Sequence, residues 1–289
     1  MQQIRYFDSA WNDIKHTPGW FGKMCLLALI SLIPIFGAIV LGGYLYGWAR
    51  EMAWGVHEPM PEKIFGNEDG KLYRRGFYLL VFDIVLALIL AAILGIVGLI
   101  PGMAATSTLS GYGDMGITFV NYSVVYYIIY IALIIVQSFA LWIGSMRISI
   151  YDRLSSGFQF SKMWAMYKHE PMGLWKIFGM QLIVGLVIGF VLSIVFTFAL
   201  SGALIGAVSA VGLTVSDYSN AEAVMRLFMA AGPAFIVILL IMIYVFMVAG
   251  VFLETLAARA LGYWTMQFEV PRWRGQDEPM PFEEGSTFV

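Results

Sequence analysis

"MCLLALISLIPIFGAIVLGGYLYGW", residues 24–48, is apolar throughout yet carries Pro34 and Gly37 at its middle and Gly42-Gly43 beyond. A helix of roughly 20 apolar residues crosses a bilayer, and this run is long enough. Proline removes a backbone donor and kinks a helix, and glycine weakens one. Two readings therefore stay open. As one straight span, the run puts Arg5, Lys15 and Lys23 outside, across the membrane from Arg50. As a re-entrant hairpin broken at "PIFG", it keeps both of its ends on one side, provided protein or a wet cavity covers the broken backbone.

The rest of the chain is read outward from that run. Apolar spans are expected at Phe77–Ile100, Tyr122–Met146, Ile177–Leu200 and Ala234–Leu256, with a short glycine-rich run at Gly202–Val215. The composition agrees: 60% hydrophobic and 12% charged, where soluble domains hold about a quarter charged residues. The fold class expected is all-α, a polytopic integral membrane bundle whose first partner is the lipid bilayer.

Lysine and arginine divide unevenly between the connections. Arg50, Lys63, Lys71, Arg74 and Arg75 share one, and Arg147, Arg153, Lys162, Lys168 and Lys176 another. Residues 103–121 hold none, and residues 201–232 hold Arg226 alone. The positive-inside rule places the basic connections and the C-terminus in the cytoplasm of a multi-pass cell-membrane protein. The hairpin reading puts the N-terminus there too. The first apolar run comes after a polar leader, so no cleavable signal peptide is expected. A single cysteine, Cys25, excludes an internal disulfide framework.

The leader echoes a later segment. "FDSAWNDIKHTPGWFGK" (residues 7–23) and "FSKMWAMYKHEPMGLWK" (residues 160–176) agree at Phe7/Phe160, Trp11/Trp164, Lys15/Lys168, His16/His169, Pro18/Pro171 and Lys23/Lys176. Each reads as a short helix with an apolar stripe, Phe7, Ala10, Trp11 and Ile14 or Phe160, Met163, Trp164 and Tyr167. Each ends at its proline, because the residue before proline is pushed out of the α region. Aromatics on one side and lysines on the other fit a helix lying in the membrane interface. The echo implies a weak internal repeat, with candidate units 7–150 and 160–264 in one transmembrane domain, 1–264. "HEPMPE" (57–62) and "DEPMPFEE" (277–284) echo each other as well. Residues 265–289, acidic and proline-bearing, read as a flexible cytoplasmic tail without an apolar face, ending in Thr287-Phe288-Val289, a candidate carboxylate-capture ligand.

The order of "SLIPIFGAIVLGGYLYGWAR", "MPEKIFGNEDGKLYRRGF" and "FQFSKMW" before a later span resembles family 4013 of the domains of unknown function, polytopic membrane proteins of prokaryotes. The resemblance covers most of the chain up to about Leu200. It implies an architecture and carries over no catalytic residue.

Candidate chemistry is sparse. Asp83, in "YLLVFDIVLAL", is the one carboxylate well inside an expected span, and intramembrane ionisable residues are functional by default. Its place seven residues past Gly76 also permits a hydrated, structural role. His16, His57 and His169 lack metal-ligand spacing. The small-xxx-small rows Gly43/Gly47, Gly98/Gly102, Gly185/Gly189 and Gly202/Gly206 read as packing, with dimerisation as the alternative. "SNAE" (219–222) reads as a capping box with Glu222 and Arg226 at i, i+4. No phosphate loop, nucleophile elbow or metalloprotease helix occurs, so no enzyme, cofactor, metal or nucleic-acid partner is expected. The leading expectation is a non-enzymatic scaffold or subunit of a membrane assembly, with other membrane proteins or itself as partners. The alternative is a small-solute transporter or channel with a site near Pro34 and Asp83.

Overall fold

The computed structural model describes residues 4–66, 70–107, 115–212 and 221–284. Ser219 and Thr287-Phe288-Val289 lie outside the described residues. The described chain is all-α: α1 (Tyr6–Lys15), α2 (Trp20–Ser31), α3 (Phe36–Ala53), α4 (Leu72–Ser107), α5 (Met115–Tyr151), α6 (Phe160–His169), α7 (Pro171–Val211), α8 (Ala221–Met266) and a last turn, α9 (Pro281–Glu284). Four stretches are long and apolar enough to cross a membrane: Leu72–Val97, Val125–Tyr151, Pro171–Val211 and Met225–Met266. The short run at residue 202 is no separate segment. It continues α7 as far as Val211, where Gly212 ends the helix with φ +68°.

The 24–48 run is a helical hairpin. α2 has 12 residues, about 18 Å of helix, too short for the ~30 Å hydrocarbon core. The chain reverses through Pro34 and Ile35, which holds φ +64°. Gly37 permits the reversal, because a Cβ there would overlap the Ile30 carbonyl. The hairpin's two open ends meet: the Met60 amide donates to Thr17 Oγ1 at 3.1 Å, and Lys23 Nζ donates to the Met60 carbonyl at 3.0 Å. The tip residues Ile33 and Ile35 are exposed.

α4 packs along α5 and α7 along α8, while α3 is wedged between them, touching α4, α5 and α8. Two glycines make the α3–α4 crossing close. A Cβ on Gly43 would overlap the Leu72 carbonyl, and one on Gly76 would overlap the Ile39 carbonyl. The packed core sits at the basic end of the bundle, around Tyr44, Trp48, Phe82, Leu261 and Trp264. Away from that end packing is thin: in α7 and in α8, 6% of an 18-residue apolar segment is buried within the chain.

The basic end forms a cap. α1 runs antiparallel to the last turns of α8 and does not lie free on an interface. The Gln267 amide donates to the Tyr6 hydroxyl at 2.8 Å, and Arg259 Nε donates to Asp13 Oδ2 at 2.6 Å. Its buried residues are Tyr6, Ala10 and Ile14, a stripe rotated from the expected one so that Phe7 is left exposed. α6 buries Met163 and Met166 and exposes Phe160 and Trp164.

The two "EPMP" phrases each sink a methionine into the core, Met60 at 1% exposure and Met280 at 3%. The second phrase belongs to the segment expected to be a tail without an apolar face. In the structure Phe268, Val270 and Met280 are buried, and Lys162 Nζ donates to Glu283 Oε2 at 2.8 Å. Residues 268–284 are docked on the cap.

Candidate functional site

The sequence-selected residues fall in separate places. Pro34 sits at the exposed hairpin tip. Asp83 lies beside Tyr46, which is 12 residues farther along the chain than Pro34, about 18 Å of helix rise. Pro34 and Asp83 are therefore not brought together as one site. Trp11 packs edge-on against Trp20 and Phe252, at 5.5 and 5.8 Å. Lys15 ends α1, His16 caps it with Nδ1 2.7 Å from the Asn12 carbonyl, and Pro18 turns the chain into α2. Trp164 stacks on Tyr167 under the Lys168 ammonium, His169 stacks on Phe282 at 4.6 Å, and Pro171 opens α7. His57 lies against Tyr263. Among the described residues no group of His, Cys, Asp and Glu is arranged to hold a metal ion.

What gathers around Asp83 is a polar cluster drawn from four helices. Asp83 on α4 lies within electrostatic range of Glu254 on α8, and both act on the Tyr46 phenol of α3. Tyr46 is hydrogen-bonded to Ser145 of α5, a residue 2% exposed, and its carbonyl accepts from the Ser149 hydroxyl at 2.7 Å. Both carboxylates are exposed. Two carboxylates within electrostatic range of each other can share a proton or hold a cation between them. Reading the sequence singles out Asp83 as the one acid well inside a span. Glu254 lies inside α8, twelve residues before its end, so Asp83 is one of two.

The sequence reading also misses three arginines inside the cap, all at 1% exposure or less: Arg75, Arg147 and Arg259. Arg75 donates to the Gly43 carbonyl at 3.4 Å. Arg147 donates to the Ser156 carbonyl at 3.1 Å and to Gln159 Oε1, and faces the rings of Tyr151 and Trp273. Arg259 lies 4.3 Å from the centre of the Trp48 ring and donates to the carbonyls of Trp48 and Glu58. In the sequence these residues serve only as markers of sidedness. The available signal is Arg259 embedded in "LAARALGYW", a charge amid small and apolar residues on a helix.

The model of a family described as protein of unknown function, DUF4013, matches residues 26–197. The chain belongs to this family. The match begins within α2 and ends within α7, so it contains the second half of α2 together with α3, α4, α5 and α6. Tyr46, Asp83 and Ser145 fall inside the DUF4013 segment, and Glu254 falls beyond it. No curated protein and no solved structure matches the chain.

Proposed function

We propose that the protein is a non-enzymatic subunit or scaffold of a membrane assembly, anchored in the cell membrane with its cap in the cytoplasm. One observation carries this reading. Among the described residues nothing packs tightly on the glycine rows of α7: a Cβ at Gly189, Gly202 or Gly206 would meet nothing within 4 Å, and one at Gly185 would meet only the Leu253 side chain of α8 at 3.5 Å. Small residues spaced this way let a second helix approach closely, and lipid gains nothing from them. The cytoplasmic side is supported by the distribution of Lys and Arg, which gathers at the cap.

The test is assembly in native membranes. With Cys25→Ser as background, Gly189→Cys should form an oxidative cross-link, either to a second copy or to one recurring membrane protein. Adding Gly202→Ile and Gly206→Ile to the Gly189→Cys chain should abolish it. Only single copies extracted in native nanodiscs, with no co-extracted membrane protein, would sink the reading.

A second reading, transport of a proton or small cation, is favoured by Asp83 and Glu254 lying within electrostatic range of each other and of Tyr46. Its test is flux into proteoliposomes, which Asp83→Asn and Glu254→Gln should each abolish. Absence of flux with the unaltered chain would dispose of it.

A further inference from the structure

We propose that the seam between the α1–α2 arm and helices α7–α8 is a binding site for one anionic phospholipid. Two recesses lie along this seam. The first, about 310 Å³, opens at the cap between the start of α1 and α7, where Arg5 and Lys176 face it together with Asp8 and Met180. The second, about 340 Å³, lies between α2 and the α7–α8 pair, walled by Trp20, Met24, Ile188, Val248 and Phe252. Both volumes lie at the small end of the ~300–1,000 Å³ range of ligand sites.

The chemistry of the two recesses differs in the way a phospholipid differs along its length. The mouth carries two cations and one carboxylate, a net charge of +1 from Arg5, Lys176 and Asp8. Arg5 pairs with Asp8 at 2.8 Å, but both side chains are open to solvent, at 83% and 52%. Such a pair is weak and yields readily to a phosphate. The inner recess is walled almost wholly by apolar atoms, and its one phenol, Tyr244, already donates to the Cys25 carbonyl at 3.0 Å. Such a wall disfavours a polar solute and suits a hydrocarbon chain.

The spacing also fits. Lys176 and Ile188 lie on α7 twelve residues apart, about 18 Å of rise, against a leaflet of about 15 Å of hydrocarbon. The two positions lie about a third of a turn apart around α7, so a headgroup held at Lys176 sends its acyl chain obliquely across the helix to Ile188 and Val248. Basic pockets between membrane helices are recurrent sites for acidic headgroups. Bound in this way, the lipid closes the side of the hairpin that protein leaves open.

The experiment uses the full chain in nanodiscs of phosphatidylcholine with and without phosphatidylglycerol. Lipid retained on detergent extraction is read by native mass spectrometry, and thermal unfolding is followed in parallel. The unaltered chain should retain phosphatidylglycerol in preference to phosphatidylcholine and unfold at a higher temperature with it present. Arg5→Gln and Lys176→Gln should each lower that preference about fivefold, while the protein still folds and still keeps some lipid. Val248→Trp, which fills the inner recess, should reduce retention of both lipids. Equal retention of the two lipids by the unaltered chain would overturn the proposal. So would unchanged retention in a folded Val248→Trp protein, or a thermal shift reproduced by soluble glycerol phosphate alone.

Discussion

Arg259 on α8 and Asp13 on α1 are joined at 2.6 Å, although 246 residues separate them in the chain. The guanidinium is fully buried and the carboxylate 20% exposed; Tyr263 donates a second hydrogen bond to the same oxygen at 2.9 Å. Removing one partner of such a pair strands a buried charge, which costs about 3–5 kcal/mol. Asp13→Ala should therefore lower thermal stability in detergent by that order. Adding Arg259→Met should recover part of the loss, because the stranded charge is gone. Strict additivity of the two substitutions in a double-mutant cycle would show that the pair is not coupled.

Adjacent glycines on α3 should behave differently. Gly43→Ala forces its methyl into the Leu72 carbonyl, and Gly76→Ala does the same at Ile39, where backbone cannot step aside. Each should destabilise by about 1–3 kcal/mol. Gly42→Ala meets only the Leu79 side chain at 3.6 Å, an ordinary contact, and gains up to ~1 kcal/mol of helix propensity. Chemical unfolding in mixed micelles distinguishes them. Equal effects at positions 42 and 43 would contradict the close crossing.

Docking of residues 268–284 should depend on acid pH. Burial pushes the Glu283 carboxyl up, but the Lys162 hydrogen bond, the Met280 amide and the Lys162 and Arg147 charges outweigh it and hold the group below the ordinary carboxylate range. A carboxyl depressed in the folded state stabilises fully above its unfolded value and loses that contribution as pH falls through the lowered one. Protease cleavage within 268–284 should thus be slow near neutral pH and accelerate below the usual carboxylate range. Glu283→Gln should cut faster at neutral pH and lose this acid dependence. Rapid cleavage of the unaltered chain at neutral pH would mean that the segment does not dock.

Because α1 and α6 share one end of the bundle, they should share one compartment. On a Cys25→Ser background, Lys15→Cys and Ser161→Cys should both resist an impermeant thiol reagent in intact cells and react in inverted vesicles. Reaction at position 15 alone in intact cells would separate the two helices and undo the hairpin topology.

The membrane class, the helical runs and the limits of α1 and α6 are all legible in the sequence, because each comes from local rules. Uninterrupted apolar runs specify helices of spanning length, and prolines at positions 18 and 171 end the preceding helices. Asp83 is legible for the same reason, as a charge in an apolar run. The same rules leave the 24–48 run undecided, since a proline can kink a span or turn a hairpin. Tertiary contacts settle it: Gly37 against Ile30, and Thr17 against Met60. They also supply Glu254 and Tyr46 as neighbours of Asp83, Asp13 as the partner of Arg259, and the cap as a berth for Met280. Those relations join residues far apart in the chain. Their energy comes from complementary charge and shape across helices, which no periodicity within a single segment records.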